Sequence, residues 1–143
     1  MPAEQSLTSH TKWDPPFHFF IAPVFAINAI YSIVNLVRHP SQDAIWPSVV
    51  ALGLVVMAFK GRLNSLKVQD RLIRLEERLR LSGILAEPLR SRIPELTERQ
   101  LISLRFASDA ELPALVATIL SKQLSPADIK KAIVNWRPDH FRV

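Results

Sequence analysis

Side chains that could perform acid–base, nucleophilic or metal chemistry are few and scattered in this sequence of 143 residues. The four histidines show no metal-ligand spacing: His10, His18, His39 and His140. The neighbouring carboxylates Glu76 and Glu77 fit salt bridging on a helix, and no serine has the glycine-flanked context of a nucleophile. The sequence therefore predicts no catalytic, metal or cofactor-binding residue, and it indicates that the protein is not an enzyme.

Composition argues against several further classes of site. The absence of cysteine excludes disulfides, thiolate metal sites and a cysteine nucleophile, and the three glycines form no phosphate-binding pattern. The net charge of +5 could suit nucleic acid, with Lys130 and Lys131 as phosphate contacts of a helix-turn-helix. However, the basic residues are spread over several helices, and Asn135 is the only base-reading amide near that helix. Nucleic acid is accordingly a disfavoured partner.

Charge and hydropathy are segregated along the chain. Residues 1–59 carry a net charge of −1 and residues 60–143 a net charge of +6. Residues 19–37 form a run of 19 uncharged residues, close to the roughly 20 that a helix needs to cross a bilayer. Residues 44–59 form a second run, which as a helix would be about 24 Å long. Trp46, Lys60 and Arg62 suit the interfaces at its ends, so we predict two transmembrane helices.

The short turn between these runs predicts a helical hairpin with both termini on one side. Ser41 or Asp43 can cap the second helix, and Pro47 is tolerable in its first turn. The turn offers only Arg38, whereas basic residues are concentrated after the second run: Lys60, Arg62, Lys67, Arg71 and Arg74. The positive-inside rule therefore places both termini in the cytoplasm.

Small and polar side chains within the hairpin predict helix packing. Ser48 and Ala51 belong to a seam of small residues that would let two backbones approach closely. Asn28, Ser32 and Asn35 form a separate stripe on the first helix. Three interpretations of this stripe remain open: hydrogen bonds to the second helix, an oligomer face, and a solute pathway. The absence of intramembrane charge disfavours the pathway.

Residues 67–81 carry two helical stripes. One, here called the apolar stripe, repeats at intervals of 4, 3 and 4: Val68, Leu72, Leu75 and Leu79. The other, here called the basic stripe, repeats at the same intervals: Lys67, Arg71, Arg74 and Arg78. Asp70 with Arg74 and Glu76 with Arg80 are predicted i,i+4 ion pairs.

Together the two stripes form a predicted interaction surface, for which three interpretations remain open. The apolar stripe could pack on the soluble domain, it could form a short coiled-coil seam across a dimer, or both stripes could lie on anionic lipid headgroups. Two heptads are fewer than the usual three or four of a coiled coil, and the interspersed acids weaken the lipid interpretation.

The remainder of the chain predicts short helices and no strand. Gly83 suits a left-handed cap that ends the preceding helix. Thr97 and Ser108 each begin a capping box, and Ser125 with a following proline begins a third helix. Residues 112–119 and 129–136 have the apolar spacing of core helices, and Pro138 stops the last one. These patterns predict an all-α protein.

The sequence resembles an uncharacterised family of small bacterial integral membrane proteins that is known only as a domain of unknown function. The resemblance covers nearly the whole chain and is carried by five segments: Pro16-Phe17-His18-Phe19, residues 66–80, residues 95–101, residues 104–109, and Trp136-Arg137-Pro138-Asp139. It implies a two-span protein of the bacterial inner membrane. It implies no activity and no functional residue.

We therefore predict five segments and a function in interaction. The segments are an N-terminal tail (1–16), a two-span hairpin (17–60), an amphipathic charged helix (61–82), a proline-containing linker (83–96) and a C-terminal helical domain (97–143). The leading hypothesis is an interaction or scaffold module at the cytoplasmic face. The alternatives are an accessory subunit or small oligomeric channel, and a membrane-tethered binder of nucleic acid or anionic lipid. The expected partners are the bilayer, a second copy or another membrane protein.

Overall fold

The computed structural model describes residues 14–139, which are helical with no β-strand, so the predicted all-α class is confirmed. The helices are α1 (Pro16–Arg38), α2 (Gln42–Ile84), a 3-10 helix (Arg90–Glu95), α3 (Glu98–Leu104), α4 (Leu112–Lys122) and α5 (Pro126–Ala132). The described residues form two compact units that divide between Lys67 and Val68. Most of the predicted N-terminal tail and the last four residues of the predicted C-terminal domain lie outside the described range.

The first unit is a helical hairpin whose seam is built from small residues. Ala29 of α1 and Ala44, Ser48 and Ala51 of α2 are buried. The Ser48 hydroxyl lies 2.9 Å from the Ala44 carbonyl oxygen and 3.1 Å from the carbonyl oxygen of Ser32 on the other helix. Small side chains allow this close approach of two backbones.

The turn of the hairpin is capped locally. The Ala44 amide donates to the Ser41 hydroxyl at 3.2 Å, so Ser41 is the capping residue of the two candidates. Pro47 is the sixth residue of α2, so it lies inside the helix and the prediction that it belongs to the first turn is wrong. Because proline has no amide hydrogen, α2 lacks the hydrogen bond that this position would otherwise donate to the Asp43 carbonyl.

The outer surface of the hairpin is apolar. Large side chains of both helices are exposed there, including Phe19, Phe20, Ile27, Ile30, Val37, Trp46, Val56 and Met57. By length and composition, α1 and α2 could each cross a membrane. Monomeric soluble proteins rarely expose a continuous apolar surface larger than a few hundred Å².

An ionic and aromatic contact closes the end of the hairpin opposite the turn. We call these four residues the hairpin clamp: Asp14, Phe17, Phe59 and Arg62. Arg62 Nη1 lies 3.1 Å from Asp14 Oδ2, and the Arg62 guanidinium lies over the Phe17 ring. The rings of Phe17 and Phe59 meet edge to face at 5.7 Å between centroids, a favoured aromatic geometry. The clamp therefore fixes the start of α1 against α2.

Helix α2 continues without a break through Gly61 and ends at Ile84. The predicted left-handed cap at Gly83 is wrong, because none of the described glycines has a positive φ. The Leu85 amide still donates to the Leu81 carbonyl at 2.9 Å, and both leucines are fully buried. Core packing of these two leucines therefore carries the helical backbone past the glycine.

The second unit surrounds a core of buried apolar side chains. They come from the end of α2, the 3-10 helix, α3, α4, α5 and the connections between them: Leu81, Leu85, Ile93, Leu96, Leu101, Leu104, Phe106, Ala107, Leu112, Leu115, Val116, Ile119, Leu120, Ile129 and Ile133. Two predicted helix starts are confirmed, since Thr97 forms a capping box with Gln100 and the Ser125 hydroxyl accepts from the Asp128 amide.

Two other predicted helix boundaries differ. Helix α4 begins at Leu112 without a side-chain cap, and the Ser108 amide and hydroxyl instead bind Glu111 within the preceding turn. Helix α5 ends at Ala132, so the prediction of a helix to Trp136 is wrong. The reason is a non-local pairing: the Arg137 amide donates to the Phe106 carbonyl at 2.7 Å, which draws the chain into an extended bridge.

Candidate interaction surface

Within the second unit, α2 presents two faces of opposite character. Ile73, Glu77 and Leu81 are buried against the domain at intervals of four residues. The apolar stripe is exposed, with the four side chains between 54% and 67% accessible. At about 100° per residue, the apolar stripe lies on the side of α2 opposite the buried row.

The interpretation in which the apolar stripe packs on the soluble domain is therefore wrong. The domain covers the other face of α2, and four large apolar side chains at helical spacing are left in contact with solvent. Single exposed apolar residues are ordinary on protein surfaces, whereas large contiguous exposed apolar patches are typical of sites that bind proteins or membranes.

An ionic network anchors the buried face of α2. Arg80 Nη1 lies 3.1 Å from Glu77 Oε2, and Arg80 Nε lies 2.7 Å from Asp109 Oδ1. Arg80 Nη2 also donates to the Ala107 carbonyl at 2.7 Å. A single guanidinium thus joins α2 to the segment between α3 and α4, which holds the apolar stripe facing outward.

The Glu77 carboxylate is almost completely inaccessible. Burial raises the pKa of Glu77 above its usual value, and the nearby charge and hydrogen bonds of Arg80 oppose the rise. A buried carboxylate is costly unless it is paired, so Arg80 is the group that makes this position tolerable.

A cleft of about 440 Å³ adjoins this network. Its charged lining contains both signs: Glu76, Glu77, Arg80, Arg105, Arg137 and Asp139. Arg105 Nε lies 3.2 Å from Asp139 Oδ2, which ties the residues after α5 to the end of α3. The charges that line the cleft therefore compensate one another and connect elements of the domain.

The predicted i,i+4 ion pairs on α2 are wrong. Arg74 pairs with Glu98 of α3, and its Nε donates to the Asp70 carbonyl. Arg80 pairs with Glu77 and Asp109 rather than Glu76. In both cases the arginine reaches a partner provided by the folded domain, which a local helical spacing does not reveal.

The members of the basic stripe have different environments. Lys67, Arg71 and Arg78 are exposed, whereas Arg74 is partly covered and engaged with Glu98. The positive charge available on this side of α2 is therefore discontinuous. This arrangement flanks the apolar stripe with separate charges rather than with a continuous basic face.

The predicted intramembrane packing residues fall into two groups. Ser48 and Ala51 are buried in the hairpin seam and Ser32 is half-buried beside them. Asn28 and Asn35 are exposed, and their side-chain amides make no hydrogen bond with another residue of the described range. The hairpin thus carries two amides on its outer surface.

Among residues 14–139, no three histidine or acidic side chains are grouped as metal ligands would be. His18 and His39 lie at the two ends of α1, whereas His10 and His140 lie outside the described residues. The network of Glu77, Arg80 and Asp109 was missed at the sequence level. Its local signals are a glutamate between Ile73 and Leu81, at the spacing of a buried row, and the i,i+3 spacing of Glu77 and Arg80.

Comparisons with curated proteins and with solved structures find no match. A family model covers residues 1–143, the full length of the sequence. The chain therefore belongs to the family of unknown function DUF6526.

Proposed function

We propose that this protein is a membrane-anchored interaction module. The hairpin, formed by α1 and the first part of α2, inserts in the bacterial inner membrane. Both termini then lie in the cytoplasm. The apolar stripe then binds a helix of another polypeptide chain anchored at the same membrane face. The observation that carries the proposal is the division of α2 into a face buried in the domain and an opposite apolar face that is exposed.

Membrane insertion is supported by the outer surface of the hairpin. Its exposed side chains are large and apolar, and its buried seam consists of small side chains. A pair of helices in a soluble protein instead buries its large apolar side chains and exposes polar ones. Lipid would cover the exposed surface without any further protein. Basic residues beyond the second run favour the cytoplasmic orientation of the termini, because the turn contains a single arginine.

We expect single cysteines to report this topology in the cysteine-free chain. In intact bacterial cells, His39→Cys in the turn should react with a membrane-impermeant thiol reagent, whereas Asn64→Cys should react only after permeabilisation. The unmodified chain is the blank. If only Asn64→Cys is labelled in intact cells, the orientation is the reverse of the one proposed. If the protein is recovered outside the membrane fraction, the proposed membrane anchor is refuted.

The interaction surface is supported by the position of the apolar stripe on an ordered helix. Helix-in-groove and helix-pair recognition use apolar anchors at intervals of three and four residues. The stripe supplies four such anchors, and the ionic network of Glu77 and Arg80 holds the helix so that they point away from the domain.

A photo-crosslinker attached to single cysteines should distinguish the two faces. We expect Glu76→Cys, beside the apolar stripe, to give a protein adduct in membranes, and Asp70→Cys, on the other side of the same helix, to give little. Adding Leu72→Asp should remove the Glu76 adduct. If the adduct survives Leu72→Asp, or if Glu76→Cys captures only lipid, the interaction-module proposal is refuted.

A further inference from the structure

We infer that the partner of the apolar stripe is a second copy of this chain, bound in parallel as a short two-stranded coiled coil. This inference rests on the proposed function, because it names the partner of the same surface. Three features support it: the register of the stripe, the charges that flank it, and the confinement of the copies to one membrane.

The register follows from the spacing of the exposed leucines. If Leu72 and Leu79 occupy a positions of a heptad, Val68 and Leu75 occupy d positions. All four are more than half exposed, so each is available as a knob for a facing helix. The buried row of α2 lies on the opposite side, so a second helix can approach the stripe without displacing the domain.

The flanking positions carry complementary charges. Arg71 and Arg78 fall at g, and Gln69 and Glu76 fall at e. In a parallel pair, a g residue faces the e residue five positions later on the other helix, which brings Arg71 beside Glu76 of the second copy. Both side chains are exposed, and neither makes an ion pair with another residue between Asp14 and Asp139.

The same charges disfavour an antiparallel pair. Antiparallel helices bring g positions against g positions, which would oppose the arginines of the two copies. A two-fold axis along the seam makes both Arg71–Glu76 contacts form at once.

Anchoring compensates for the shortness of the seam. Two heptads give a coiled coil of marginal stability when the helices meet in solution. Two anchored copies instead meet at the high effective concentration of a membrane surface, which favours pairing. The hairpin therefore has a role in assembly, since it raises the local concentration of the copies while the apolar stripe supplies the contact.

The test uses the full chain in lipid vesicles, with disulfide formation under mild oxidation as the measurement of pairing. Leu75→Cys, at a d position, should form a disulfide-linked dimer, and Asp70→Cys should not. In the Leu75→Cys chain, Arg71→Glu and Glu76→Arg should each lower dimer yield by roughly three- to tenfold. The combined Arg71→Glu/Glu76→Arg chain should recover it.

Arg78→Glu is the matched control, because its expected partner position in the second copy is Gly83, which has no side chain. It should leave dimer yield within about twofold. If dimer yield persists in both single reversals, or if the combined variant fails to recover it, parallel self-pairing is overturned. If Asn28→Leu/Asn35→Leu abolishes the dimer while Leu72→Asp spares it, the hairpin surface holds the copies together and the inference is also overturned.

Failure of this inference is distinguishable from failure of the proposed function. A Glu76→Cys adduct with a different protein, abolished by Leu72→Asp, together with no Leu75→Cys disulfide, would overturn self-pairing and leave the interaction module standing. If the Glu76→Cys chain gives no protein adduct, both the interaction module and the self-pairing are refuted.

Discussion

Replacing Arg80 with alanine should lower the free energy of unfolding of the second unit by about 3–5 kcal/mol. The change removes the only guanidinium bonded to Glu77 within the described range, together with the contacts to Asp109 and to the Ala107 carbonyl. The Glu77 carboxylate would then be buried without its compensating charge. Losing one partner of a buried pair is far more damaging than losing an exposed pair.

The measurement can exploit the absence of cysteine. Ser103 is buried on α3, so Ser103→Cys provides a thiol that reacts only when the second unit opens. The rate of labelling of the full chain in detergent, with and without Arg80→Ala, reports the loss of stability. Arg92→Ala is the matched control, because Arg92 pairs with Glu95 at the surface. Equal labelling of the Arg80 and Arg92 variants would contradict the assigned role of the network.

The stability of the Arg80→Ala chain should also depend on pH. Because burial raises the pKa of Glu77, the folded state binds a proton more tightly than the unfolded state does. This contribution to stability is complete below the usual carboxyl pKa of 4.5 and is lost as the pH rises through the raised pKa. Without Arg80 the pKa of Glu77 rises further. The loss of stability caused by Arg80→Ala should therefore be smaller near pH 5 than near pH 8. Adding Glu77→Gln should abolish this pH dependence.

The second large effect is expected from Phe106→Ala, which should destabilise the second unit by about 3–5 kcal/mol. The Phe106 ring is fully buried in the core. It packs against Trp136 at 5.1 Å between centroids, and the Arg105 guanidinium lies 4.4 Å above it. Truncation removes apolar burial and leaves a cavity where the extended segment after α5 joins the core.

The Ser103→Cys labelling rate measures this variant as well. Val134→Ala is the control, since Val134 belongs to the same extended segment but is exposed, and surface truncations usually change stability by less than about 0.5 kcal/mol. A Phe106→Ala chain that labels no faster than the Val134→Ala chain would contradict the placement of this ring in the core.

Helical periodicity predicted the elements but not the side of α2 that the domain covers. The sequence contains two apolar rows on that helix, one through Leu72 and Leu79 and one through Ile73 and Leu81. The first has the cleaner spacing, whereas the second is interrupted by Glu77. The second row can be buried because Arg80 pairs directly with Glu77, and Arg80 is in turn held by Asp109, 29 residues away. No local pattern contains the contact with Asp109.

Helix starts were more predictable than helix ends in this chain. Thr97 and Ser125 cap their own helices through residues three positions later, so the signal is local. The end of α5 depends on the pairing of Arg137 with Phe106, and the end of α2 depends on burial of Leu85. Both involve contacts between segments that are distant in sequence, which explains why Pro138 and Gly83 were poor guides.

The hairpin clamp has a consequence for the surrounding lipid. By pairing Phe17 with Phe59, it sets these two residues level at the cytoplasmic side of the hairpin inserted as we propose. The charge-free run on α1 ends 20 residues after Phe17, whereas the run on α2 begins 15 residues before Phe59. At 1.5 Å per residue, the run on α2 therefore stops about 7–8 Å short of the run on α1 at the turn side. Hydrophobic mismatch is then concentrated around Asp43, in the leaflet on the turn side. That leaflet should thin locally, and the protein should accordingly be favoured in thin or deformable regions of the bilayer.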